Sequence, residues 1–131
     1  MFLDANIFIH SLITSSKEGN ASVRFLERVA SGEQKAVTSL LVFNEVMHFL
    51  IKKERLEDAK HFWRTALSFP NLTILPIDSN CANYIIPFLD QGLQTTDAFH
   101  AAAMKANGIS TICSYDKGFD KIKGIKRQEP K

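Results

Sequence analysis

Four short β-like runs, at residues 1–3, 36–38, 72–75 and 111–114, are separated by stretches whose apolar residues recur at helical spacing. This alternation constrains the fold more than any other feature. Strands with helices between them cannot pair as tight hairpins. They pair in parallel through crossovers, and helices cover the sheet. The sequence therefore predicts an α/β layered fold with a mainly parallel sheet of four to five strands. In such sheets ligands bind beyond the carboxyl ends of the strands.

Local signals set the expected boundaries. Asn6 is read as the cap of a helix starting at Ile7, and Asn20 as the cap of a second helix ending near Gly32. Ser39 opens a helix running to about Lys53. Leu56, Ala59, Phe62, Trp63, Ala66 and Leu67 give a further amphipathic helix. Asp78 caps a helix to about Asp90, which Pro87 is expected to kink or shorten. Thr95 or Thr96 caps a helix to about Asn107. A short turn or helix follows Ser114, and residues 122–126 are read as a last edge strand.

The 131 residues suit a single domain spanning 1–131, and 45% hydrophobic content is enough for a core without staples. A net charge of +2 does not by itself argue for nucleic-acid binding. Basic residues do cluster locally, at Lys52-Lys53-Glu54-Arg55 and from Lys117 to the end. Solvated surface and a loose tail explain them equally well. Cys81 and Cys113 lack the spacing of a zinc site and read as buried free thiols. Asp4 interrupts the first apolar run, no basic stretch precedes it, and no run reaches membrane-spanning length. The expectation is a cytoplasmic protein with no membrane partner.

Most of the 14 acidic residues have ordinary places on polar helix faces, in caps or in the tail. Asp4, Glu45, Asp97, Asp116 and Asp120 do not. Asp4 and Asp116 follow strands and belong at the carboxyl edge, although turn chemistry explains either one alone. Asp97 sits in the first turn of its helix, where simple dipole compensation also suits it. Glu45 shares a narrow polar stripe with Asn44, His48 and Lys52 on a helix that is otherwise apolar. The stripe is either a solvent face or the lining of a cleft.

Carboxylates crowded at one edge repel, and a divalent cation removes the conflict. Oxygen ligands unaccompanied by His or Cys suit Mg²⁺ or Mn²⁺ rather than Zn²⁺. A metal held this way can activate water for attack on a phosphodiester, with no side-chain nucleophile. The chain carries no nucleophile elbow, P-loop or dinucleotide fingerprint.

Four segments resemble the motifs of the PIN domain family, in the family's order. They are Phe2-Leu3-Asp4-Ala5-Asn6-Ile7-Phe8-Ile9; Thr38-Ser39 with Asn44-Glu45-Val46; Leu93 with Thr96-Asp97-Ala98 and Ala101-Ala102; and Ser114-Tyr115-Asp116-Lys117-Gly118-Phe119-Asp120. The compact length is similar to that of VapC-like toxins of toxin–antitoxin pairs. The resemblance implies a three-layer α/β/α sandwich, Mg²⁺- or Mn²⁺-dependent endoribonuclease activity and homodimerisation. By position it makes Asp4, Glu45, Asp97 and Asp116 the catalytic and metal-binding quartet. Asn6 and Ser114 become polar supports, and Asp120 an extra ligand or a cap.

His100 shares a helix face with Asp97 and is expected to hydrogen-bond a carboxylate, or else to contact the scissile phosphate. His48 carries the same ambiguity. Lys52, Lys117 and Lys121 are candidate RNA phosphate contacts. A toxin role implies a cognate antitoxin whose peptide blocks the cleft. The competing reading is a non-catalytic PIN-like scaffold that docks a protein or RNA partner, with Phe62, Trp63 and Phe69 supplying apolar surface. A haloacid-dehalogenase-like phosphatase or a receiver domain fits less well. The first wants a second Asp where Asn6 stands, and the second wants a distal Lys and an adjacent acidic pair.

Overall fold

A computed structural model describes residues 1–131. In chain order the elements are β1 (Phe2–Leu3), α1 (Ala5–Ile13), α2 (Lys17–Ser31), β2 (Ala36–Ser39), α3 (Leu40–Lys52), α4 (Leu56–Leu67), β3 (Leu72–Leu75), α5 (Ser79–Asp90), α6 (Thr95–Ala106), β4 (Thr111–Cys113), a 3-10 turn (Lys117–Lys121) and β5 (Lys126–Gln128). The sheet has five strands in the order β3-β2-β1-β4-β5. Every pairing is parallel. Helices flank it, as the alternating pattern requires.

The strand order places the site. The chain moves outward from β1 through β2 to β3, then returns to the other side of β1 with β4 and β5. The order therefore reverses between β1 and β4, the switch point where parallel sheets leave a crevice. Asp4 follows β1, and Ser114 follows β4. Phe2 pairs with Ile112 and Leu3 with Cys113, so these two exits lie side by side.

The core joins 27 buried residues from the sheet and all six α-helices, with Phe2, Leu3, Ile112 and Cys113 at its centre. Phe8, Phe43 and Phe62 meet edge to face, with centroids 5.5–6.1 Å apart. Phe62 is thus core, and Trp63 and Phe69 are half-buried against it. The apolar surface expected of a docking scaffold is largely internal here. Both cysteines are free and buried. No helix is long and apolar enough to cross a membrane.

Several boundaries differ from expectation. Asp4, not Asn6, caps α1, with its carboxylate accepting from the Ala5 N–H. Both are good capping residues, and the one at the strand exit takes the place. Helix α2 begins before Asn20, because Ser16 accepts from the Gly19 N–H. Gln94 precedes α6 without a side-chain cap, leaving Thr95 and Thr96 inside the helix. Helix α5 runs through Pro87 to Asp90, held by buried Cys81 and Phe88. The last strand is Lys126–Gln128, not residues 122–126. Nor is the basic end loose: Arg127 binds Asp120, Glu129 and the Ser114 carbonyl.

Candidate active site

Asp4 is 4% exposed, and every bond it makes is local to the β1–β4 exit. Its Oδ1 accepts from the Ala5 N–H at 2.7 Å. Its Oδ2 accepts from the Ser114 hydroxyl at 2.5 Å and from the Asn6 amide at 2.9 Å. A carboxylate offers about four lone-pair positions, so roughly one stays free. Burial pushes the Asp4 carboxyl above its ordinary range, while the Ser114 hydrogen bond opposes the rise.

Ser114 and Asn6 form the frame around this carboxylate. The buried Ser114 hydroxyl also accepts from Asn6 Nδ2 at 3.0 Å and from the Asp116 N–H at 2.9 Å. Asn6 Oδ1 accepts from the Tyr115 N–H at 3.2 Å. One serine therefore ties the end of β1 to the start of the fourth motif. The role of Tyr115 is a backbone one, which its side chain in the sequence could not announce.

Helices α3 and α6 bring the remaining groups. Asp97 lies in the first turn of α6, and its carboxyl is raised to about 6 by burial first and by the charge of Asp4 second. His100, one turn later, is fully buried. His100 Nε2 is hydrogen-bonded to Glu45 Oε1 across the two helices. The Glu45 side chain is 31% exposed, so the polar stripe of α3 is neither pure solvent face nor sealed interior. Ile9, Asn44, Glu45, His48, Phe49, Lys52 and Thr96 line an open cleft of about 590 Å³.

One ligand atom from each of Asp4, Asp97 and His100 lies within 4.8 Å of the others. This group meets the test for a divalent cation on two counts. Its donors are close enough to share one ion, and its carboxyls are held above their ordinary range by burial and by neighbouring like charge, both of which a bound cation would offset. The structure adds a histidine to what the sequence suggests is an all-oxygen set.

The other candidates are placed differently. Asp116 is exposed, caps the 3-10 turn through the Gly118 N–H at 2.8 Å, and adds to the field that raises Asp97. Asp120 is engaged in a two-pronged ion pair with Arg127, at 2.6 and 3.2 Å. That pairing holds its carboxyl below the ordinary range. The spacing of the fourth motif gives no sign of this partner, seven residues on. Lys52 lines the cleft beside Glu45. Lys117 and Lys121 are exposed outside it, and the Lys121 ammonium lies against Gly92.

Comparison with known proteins bears on the family and the fold. The family model described as PIN domain matches residues 1–125. Ribonuclease VapC13 of Mycobacterium tuberculosis is 29% identical over 129 residues, covering 97% of this chain and 98% of the relative. Among solved structures, VapBC2 from Rickettsia felis, bound to a DNA fragment from its promoter, superposes with a TM-score of 0.75 at 19% identity, covering 99% of this chain and 98% of that one. The sarcin-ricin loop cleaving toxin VapC20 of Mycobacterium tuberculosis superposes with a TM-score of 0.71 at 17% identity, covering 91% and 92%.

Proposed function

The chain belongs to the PIN domain family, and from that premise we propose that it is a metal-dependent endoribonuclease, the toxin of a type II toxin–antitoxin pair. The observation that carries this reading is the meeting of Asp4 and Asp97 at the β1–β4 switch point, beside an open cleft. Its relatives support the substrate class. One is named a ribonuclease, and another cleaves the sarcin-ricin loop.

Each residue has a part that follows from its place. Asp4 and Asp97 hold Mg²⁺ or Mn²⁺, with Asp116 at the outer edge of the same field. Bound there, the cation lowers the pKa of water and offsets charge on the phosphoryl group. Glu45, half-exposed in the cleft, orients the attacking water. Ser114 and Asn6 keep Asp4 in one rotamer, so the carboxylate is preorganised before substrate arrives. Lys52, further along the cleft, meets the RNA backbone and gives affinity without sequence choice. Lys117 and Lys121 belong to a wider basic rim.

Structural neighbours include a toxin–antitoxin complex from Klebsiella pneumoniae, with a TM-score of 0.66. A cognate antitoxin is accordingly part of the proposal, as are a homodimer and a cytoplasmic location. The non-catalytic scaffold predicts no metal affinity at the acidic group. The test is cleavage of structured RNA by the wild type and Asp4→Asn, in Mn²⁺ and in EDTA. Cleavage by the wild type in Mn²⁺ alone supports the reading. Equal cleavage by both proteins contradicts it.

A further inference from the structure

The geometry points to His100 as the third protein ligand of the ion held between Asp4 and Asp97, making this a mixed nitrogen–oxygen position. The inference rests on the nuclease reading and refines it. An acidic quartet would give that third place to Glu45 or Asp116. The structure gives it to the imidazole, since neither Glu45 nor Asp116 belongs to the group whose donor atoms lie within 4.8 Å of one another. Glu45 meets that group through its hydrogen bond to His100 Nε2.

Three features of His100 fit a ligand. The ring is fully buried, so it is not a surface group that happens to lie near acids. Nδ1 is shut off from solvent and has no hydrogen-bond partner. A buried imidazole with an unused nitrogen is costly unless something takes the lone pair or proton. The third feature is the carboxylate on the ring. Ligating histidines commonly carry such a partner, which fixes the tautomer and raises basicity. With Nδ1 as the ligating nitrogen, Glu45 on Nε2 is that partner.

The chemical consequence is metal choice. Mg²⁺ takes oxygen ligands and avoids imidazole, whereas first-row transition ions accept it. The chain should therefore bind Mn²⁺ more tightly than Mg²⁺, and the imidazole should account for part of that difference.

Electron spin echo spectroscopy of the Mn²⁺-loaded protein reads this directly, because a coordinated imidazole imprints nitrogen modulation on the manganese signal. The wild type should show it, and ¹⁵N-histidine labelling should change its pattern. His100→Asn should abolish it and narrow the gap between the Mn²⁺ and Mg²⁺ affinities, while His48→Gln should leave both unchanged. Should His100→Asn fail to fold, the labelled wild type still decides. Bound Mn²⁺ and intact RNA cleavage without nitrogen modulation would overturn the ligand assignment and leave the nuclease reading standing. Modulation lost in His48→Gln but kept in His100→Asn would also overturn it. A chain that binds no Mn²⁺ and cleaves no RNA would end both.

Discussion

His100 on α6 donates from Nε2–H to Oε1 of Glu45 on α3, a hydrogen bond between residues 55 apart in sequence. The buried end of this pair lies with Asp4 and Asp97, and the other end reaches the open cleft. The interior of the site is thereby linked to its solvent side.

Glu45→Gln keeps the shape of the cleft but weakens that link. Removing a carboxylate that supports a ligating histidine typically costs 10–100-fold in metal affinity, so a loss of about that size is expected. Calorimetric titration with Mn²⁺ measures it. Unchanged affinity would place Glu45 outside the metal's support.

Ser114→Ala removes one donor and one acceptor from a fully buried hydroxyl. Asp4 loses its 2.5 Å bond, and the Asp116 N–H loses its acceptor. Leaving buried groups unpaired costs about 1–3 kcal/mol, so the melting temperature should fall by several degrees. The Asp4 carboxyl should also rise further, since this hydrogen bond opposes its shift. Thermal denaturation in EDTA checks the first effect, and carboxyl titration by NMR the second.

Asp120→Asn should leave Mn²⁺ affinity within about twofold of the wild type, because the carboxylate is committed to Arg127 and is not among the groups that converge with Asp4 and Asp97. Arg127 keeps its bond to the Ser114 carbonyl in this variant. A tenfold loss of Mn²⁺ binding by calorimetry would restore Asp120 to the site.

The Asp97 carboxyl lies at about 6, above its ordinary 3.8. The native chain therefore holds a proton there that the unfolded chain has released, and stability falls as pH rises from about 4 to about 6. Asp4 shifts in the same direction. Above pH 6 the Asp97 carboxylate is charged, and the metal-free protein carries its burial and its repulsion with the neighbouring acids. Mn²⁺ should thus raise the melting temperature by more at pH 7.5 than at pH 5. Melting curves with and without Mn²⁺ at both pH values test this, and a pH-independent increase would contradict it.

What the sequence makes legible follows from range. The four principal strands are marked by local period, and Ser39, Asp78 and Gly32 by cap chemistry that acts over a few residues. Asp4 and Asp97 could be placed together because each stands at the end of an element whose direction the alternation dictates. That His100 bonds a carboxylate was expected from its helix face, but Glu45 as its partner was hidden, since it depends on how α3 packs against α6. Arg127 was hidden for a related reason: its partner Asp120 sits inside a motif that suggests another role. Strand β5 was displaced because Ile122 and Ile125 look more strand-like than Lys126, Arg127 and Gln128. An edge strand is held by main-chain pairing with β4 and needs no apolar signature.

The convergence of Asp4 and Asp97 on one dication is best examined by anomalous scattering from crystals grown with Mn²⁺. The expected result is a manganese peak within about 2.5 Å of an oxygen from each carboxylate. Density that finds manganese elsewhere, with Asp4 and Asp97 bonded only to protein, would contradict it.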